Sequence, residues 1–194
     1  MVGFSKSRVV WLVTGNLHKF GEARQALSEY NIAVGMLGKI DAVEIQDDDI
    51  ENVARTSVMD AVRKSRLPVV VEDAGLFIKA LNEFPGPYSS FVFRTIGNDG
   101  VLKLMRNVVD RGACFKSSVA FSSPERSRPL CFSGRVEGEI VERKYGRRGF
   151  GFDPIFKPLL SKKTFAQMTI EEKNMHSHRA SAFRRFAEWY TASF

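Results

Sequence analysis

Two adjacent carboxylates, Glu72 and Asp73, follow the apolar run Pro68-Val69-Val70-Val71 and precede Ala74-Gly75-Leu76-Phe77. Three valines after a proline read as a short strand buried on both faces. A buried carboxylate is costly without a partner, and ligand chemistry in open α/β sheets collects just outside the carboxyl ends of strands. The strand is therefore expected to stop at Glu72-Asp73, where the acids are either a chemical site or the solvated start of a loop. With Glu44 they offer the oxygen ligands that a hard divalent ion such as magnesium takes, and one of them could orient or deprotonate an attacking water. Asp47-Asp48-Asp49 reads as a solvated helix start, so acid count alone decides nothing.

Two further constellations could do chemistry. In Thr14-Gly15-Asn16-Leu17-His18-Lys19, glycine lets a ligand approach the backbone, the N–H groups of a following helix favour an anion, and Lys19 adds a point charge for phosphate. The spacing is not that of a P-loop, and an ordinary strand-to-helix turn with a solvated lysine fits it equally well. Phe150-Gly151-Phe152-Asp153, with Lys173 and Ser177-His178-Arg179, offers rings to sandwich a base and fixed donors and acceptors for its edge. The competing reading is two core phenylalanines and the polar first turn of a helix. His18 and His176 lack a partner pattern and read as surface residues, and no Ser/His/Asp or Cys/His nucleophile set stands out.

The elements that must position these residues alternate early in the chain. Val9 to Thr14 is a strand, broken by Gly15-Asn16, and Asn16 caps a helix with Leu17, Phe20, Ala23, Leu27 and Tyr30 on its apolar face. Ile32–Leu37 and Ala42–Ile45 read as further strands. Ile50, Val53, Ala54, Ser57, Val58, Ala61 and Val62 form one face of a second helix, with Asp48 and Glu51 as a capping-box start. Asn82–Tyr88 is too rich in Pro and Gly for regular structure, and Asp99 is expected to cap a helix through Val101, Leu102, Leu104 and Met105. Ala113–Phe121 and Pro129–Val141 form an antiparallel pair with a turn near Ser122–Pro124, and Gly134 and Gly138 suggest a bulge or bend. Thr169 with Glu172 caps one more helix. Ser177 caps the last, with Phe183, Phe186, Ala187 and Tyr190 on its buried face. The class is α/β with a mixed sheet, in one domain of two lobes at most.

A chain of 194 residues supports one substantial core. A composition 44% hydrophobic and 26% charged is that of an ordinary globular protein, and no apolar run approaches the length that crosses a bilayer. The absence of an apolar signal core near the N-terminus and the lone cysteines, Cys114 and Cys131, favour a reduced, cytoplasmic setting over a disulfide framework or a zinc site. A net charge of +7 favours phosphates, nucleotides or nucleic acid as partners. Basic clusters occur at Arg143-Lys144, Arg147-Arg148 and Arg184-Arg185. Most of the aromatic residues sit at core spacing and do not interleave with Lys and Arg, which disfavours a nucleic-acid-binding module and any stable nucleic-acid complex.

Taken in order, the pieces resemble the inosine triphosphate pyrophosphatase family almost from end to end. The match comprises Thr14-Gly15-Asn16-x-x-Lys19, Glu44-Ile45-Gln46, Glu72-Asp73-Ala74-Gly75-Leu76, Phe84-Pro85-Gly86-Pro87-Tyr88-Ser89, Gly149 to Phe156, Thr164-Phe165-Ala166-Gln167-Met168, Glu172-Lys173-Asn174 and Ser177-His178-Arg179. The resemblance implies an elongated two-lobed α/β fold, usually a homodimer. It also implies hydrolysis of non-standard purine nucleoside triphosphates (ITP, dITP, XTP) to monophosphate and pyrophosphate with magnesium, for which manganese could substitute. By that analogy Thr14, Gly15, Asn16 and Lys19 hold phosphates at a site that Ala74 also borders, Glu44 and Asp73 hold the metal, Glu72 either joins them or orients Asp73, and Asp73, with Lys19, is catalytic. Phe150, Gly151, Phe152 and Asp153 would receive the purine, and Lys173, Ser177, His178 and Arg179 would read the oxygen at its six position.

The chain departs from the family pattern at three places. Ala74 stands where serine or threonine is common, and Phe152 where tyrosine or tryptophan is common. The second helix has Arg55, Thr56 and Ser57 about where many members carry a phosphate-binding lysine, for which Arg55 or Arg63 could substitute. The expected consequence is weaker phosphate affinity or an altered rate, with activity retained. A pyrophosphatase for modified pyrimidine nucleotides is the alternative enzymatic reading.

Overall fold

A computed structural model of the chain describes residues 8–38, 40 and 42–193. Seven strands form one mixed sheet. β1 (Arg8–Leu12) pairs in parallel with β2 (Ile32–Met36) and with β3 (Val69–Ile78). β5 (Gly112–Ser122), β6 (Leu130–Ile140) and β7 (Phe156–Pro158) then add antiparallel strands, giving the order β2-β1-β3-β5-β6-β7. The short β4 (Pro85–Gly86) pairs with the far end of β3. Early parallel crossovers and a late hairpin produce this mixture, as the sequence pattern implies.

Strand β3 does not stop at the two acids. Its hydrogen-bonded register with β5 runs unbroken from Val69↔Ser122 to Ile78↔Ala113, so Glu72 and Asp73 lie in mid-strand. What ends there is the neighbour: β1 pairs only as far as Leu12↔Val70, and β4 takes over that edge at Leu76↔Gly86. Between β1 and β4, β3 has an open edge at the level of its carboxylates. A period-two pleat also sends Glu72 and Asp73 to opposite faces of the sheet.

Helices cover both faces. α1 (Leu17–Ser28) and α6 (His178–Ser193) bury Ala23, Ala26, Leu27, Phe183 and Phe186 against Val10, Leu12, Val70 and Val119. α2 (Ile50–Ser65) buries the whole predicted face, packing Ala54, Val58, Ala61 and Val62 on Val69, Val71 and Ala120. A further cluster fills the far half of the sheet around Leu76, Ile78, Phe115, Phe156 and Phe165, with Val92 of α3 (Ser89–Thr95) and Val101 of α4 (Gly97–Leu104). α5 (Ile170–His176) begins with the expected Thr169–Glu172 capping box. Among the described residues no helix is long and apolar enough to cross a membrane.

Several expectations fail for identifiable reasons. Ala42–Ile45 is not a strand, because Val43 is tied to α2: its N–H donates to Asp60 and its carbonyl accepts from Ser57 Oγ at 2.8 Å. Asp49, not Asp48, caps α2. Asp99 lies inside α4 and pairs with Lys144 instead of capping. Gly134 and Gly138 mark no bulge, since the β5–β6 register is continuous from Gly112↔Glu139 to Phe121↔Leu130. They mark close approaches: a Cβ on Gly134 would lie 2.0 Å from the carbonyl oxygen of His178, and one on Gly138 would lie 2.4 Å from the Phe156 ring.

Candidate active site

The open edge of β3 forms the floor of a cleft of about 900 Å³, ample for a nucleotide-sized ligand. Its walls come from the turn into α1, residues 40 and 42–47, α3 and the 150–153 turn.

At the first wall, Thr14 Oγ1 accepts from Asn16 N–H at 3.1 Å, and Asn16 Oδ1 accepts from the N–H groups of His18 and Lys19. Asn16 is thus the expected cap, but it takes two of the helix N–H groups that an anion would otherwise meet. Lys19 reaches across to β3, with Nζ 3.2 Å from the Glu72 carbonyl and 3.1 Å from its carboxylate.

The paired carboxylates acquire opposite characters. Glu72 is buried, accepts from Ser117 Oγ at 2.6 Å and lies 3.0 Å from Arg179 Nε. Burial disfavours its charge, but Arg179 and then Lys19 outweigh that and hold the carboxyl well below the usual range. Asp73 faces the other way. Burial pushes it up to about 6, Lys19 opposes this, and Glu72 and Glu44 reinforce it. Its Oδ2 is buried without a hydrogen-bond partner. Two titratable neighbours driven apart in this way are a functional-site signature.

Glu72 was expected among the metal ligands, yet both of its oxygens face cations, and among the described residues no three acidic, His or Cys groups cluster as a metal cage. The remaining donors do fit a hard ion. Asp73 offers an orphaned carboxylate oxygen, and Glu44 lines the same cleft within electrostatic reach of it. Magnesium commonly takes one or two protein carboxylates and completes its shell with water and substrate phosphate.

At the other end, Lys173 Nζ sits between Glu22 at 2.7 Å and Asp153 at 2.6 Å, while Arg179 joins Glu22 to Glu72. Asp153–Lys173–Glu22–Arg179–Glu72–Lys19 is therefore one chain of alternating charges running from the 150–153 turn to the first turn of α1. Burial of such charges is tolerable only when each is paired. Glu22 was missed by the sequence reading. Its signal was an acid three residues after Lys19, beside the apolar positions of α1, and its backbone carbonyl also accepts from Asn174 Nδ2. Arg179 and Lys173 hold its carboxyl below the ordinary range against the cost of burial.

His178 is buried, stacks on Phe115 with ring centroids 4.6 Å apart, and has an Nδ1 without a hydrogen-bond partner. Burial, aided by Arg179, drives its pKa well below the usual value, so the ring is neutral. Gly149 adopts φ +71°, and any Cβ there would strike the Asp153 carboxylate, which accepts from Phe150 N–H at 2.9 Å. Phe150 is half-buried on the cleft wall, with Lys173 Nζ 5.1 Å from its ring. His18 is exposed, as expected, and its ring stacks on Phe150 at 5.2 Å. Phe152, expected to stack on a base, lines the cleft but is 3% exposed and packs edge-on against Phe93, so most of its ring is held by the core. Ser177 does not line the cleft and instead caps α6 through Ala180 N–H. Gly15, Ala74 and Gly151 do line it. Arg55, paired with Glu51, and Arg63 do not.

Known proteins share this architecture. The Ham1 family profile matches residues 10–189. A dITP/XTP pyrophosphatase of Methanopyrus kandleri is 46% identical over 181 residues, covering 93% of this chain and 95% of that protein. Another from Saccharolobus solfataricus is 44% identical over 180 residues, covering 93% and 92%. Among solved structures, a HAM1 protein from Coxiella burnetii superposes with a TM-score of 0.83 at 27% identity, covering 95% of this chain and 99% of that one.

Proposed function

The chain belongs to the Ham1 family, and we propose that its cleft hydrolyses non-standard purine nucleoside triphosphates, ITP or dITP and XTP, to the monophosphate and pyrophosphate. The observation that carries this reading is the Asp73 carboxyl, its Oδ2 without a hydrogen-bond partner and its pKa pushed up to about 6, at the open edge of β3 between a lysine-bearing turn and a base-sized aromatic wall.

Asp73 and Glu44 would hold a magnesium ion, whose Lewis acidity offsets the charge developing on the phosphate oxygens. Lys19 supplies positive charge beside them. Asp73 orients the attacking water and accepts its proton as the α–β phosphoanhydride bond breaks and pyrophosphate departs. Glu72 is too strongly ion-paired to serve as that base, and it positions Lys19 and Arg179 instead. The purine would lie along Phe150, with its six position toward Lys173 and Arg179. Both side chains only donate hydrogen bonds, so they match a keto oxygen and leave an adenine amino group unpaired. A homodimer, carried by the family resemblance, belongs to the same proposal and is checked by sedimentation.

Pyrophosphate release from ITP, XTP, GTP and ATP, with and without magnesium, tests the reading. Fast magnesium-dependent release from ITP and XTP, slow release from ATP and none from Asp73→Asn are the expected results. Equal rates on all four nucleotides would overturn the base assignment, and full activity in EDTA would overturn the metal.

A further inference from the structure

We infer that Arg94, on the last turn of α3, is the cation that grips the polyphosphate chain of the substrate, in place of a basic residue on α2. Among the described residues, four lysine or arginine side chains line the cleft: Lys19, Arg94, Lys173 and Arg179. Three are already committed. Lys19 is held by Glu72, Lys173 by Glu22 and Asp153, and Arg179 by Glu22 and Glu72. Arg94 is exposed and, among the described residues, has no carboxylate partner.

The charge balance makes that free guanidinium consequential. Among the described residues five carboxylates line the walls beside these four cations, so their summed charge does not favour a polyphosphate, and a metal or an uncommitted cation is needed to receive it. α2 cannot supply the cation. It presents Val53 and Ser57 to the cleft, the Ser57 hydroxyl is spent on the Val43 carbonyl, and Arg55 lies off the wall in an ion pair with Glu51. Ala74 adds no hydroxyl. A guanidinium matches phosphate oxygens with two parallel N–H bonds, and an exposed, untethered one can follow the chain as it enters.

This assignment rests on the cleft being the triphosphate site, and its test separates the two ideas. Inorganic tripolyphosphate with magnesium is titrated calorimetrically into the wild-type chain, Arg94→Ala, Arg94→Lys and, as an exposed basic control off the cleft, Lys103→Ala. Arg94→Ala should bind roughly tenfold more weakly, as expected for losing a partly solvated charge-assisted pair. Arg94→Lys should recover most of the affinity, and the control should match wild type. KM for ITP and XTP should rise by the same factor, with kcat within about twofold and the melting temperature unchanged. Affinity and KM of Arg94→Ala within twofold of wild type would overturn the assignment, as would a wild-type chain that does not bind tripolyphosphate. Failure to turn over ITP with the tripolyphosphate effect intact would sink the proposed reaction and leave Arg94 standing.

Discussion

Replacing Asp73 by asparagine should abolish turnover and yet stabilise the fold. The native carboxyl is pushed from an ordinary aspartate value up to about 6, chiefly by burial, and Oδ2 lacks a hydrogen-bond partner. The gap between an ordinary aspartate and a carboxyl near 6 corresponds to about 3 kcal/mol between the charged and neutral forms. Residual solvation reduces this, so a gain of about 1–3 kcal/mol is expected for the amide at neutral pH. For a protein of this size that is roughly 3–8 °C in melting temperature. The sign follows from linkage: a carboxyl whose native pKa is raised loses stability as pH climbs from about 4 through 6. The difference between variant and wild type should therefore be full above pH 6 and vanish below about pH 4. The assay is thermal melting in metal-free buffer from pH 4 to 8, repeated with magnesium. The ion should raise the wild-type melting temperature by linkage and leave Asp73→Asn almost unmoved. A variant less stable than wild type at pH 7.5 without metal, or equally stabilised by magnesium, would refute the reasoning.

Other substitutions probe neighbouring parts of the site. Glu22→Gln leaves Lys173 and Arg179 each short of a buried carboxylate and should cost about 3–5 kcal/mol in urea unfolding. Because the Glu22 carboxyl is held low, the stability it lends is present above the unfolded pKa and is lost on acidification, so the two proteins should converge at low pH. Phe150→Ala should raise KM for ITP roughly 5- to 100-fold and leave tripolyphosphate binding unaltered, because only a base can stack. Gly134→Ala would press its methyl against the His178 carbonyl and lift α6 from β6, and it should lower melting temperature and activity together.

Much was legible locally. The buried face of α2, the Asn16 and Thr169 caps and the hairpin of β5 with β6 follow from spacings of two and 3.6 residues and from short polar side chains that bond the nearest N–H groups. The residues that form the cleft were legible as motifs, because glycines, paired acids and clustered donors are costly to keep without use. What the chain could not declare by itself is where neighbours end. Glu72 and Asp73 look like the end of a strand, and only the shortness of β1 beside an unbroken β3 shows that they sit at an opening in mid-strand. Their division into an ion-paired strut and an orphaned acid depends on which sheet face meets Arg179, contributed from more than a hundred residues away. Glu22 and Arg94 were passed over for the same reason. A lone charge on a helix reads as solvated until the fold shows that one is enclosed by two cations and the other faces the cleft with no acid among the described residues to hold it. Local chemistry is written in the sequence, whereas the electrostatic character of each group is a sum over distant neighbours, and only tertiary packing sets that sum.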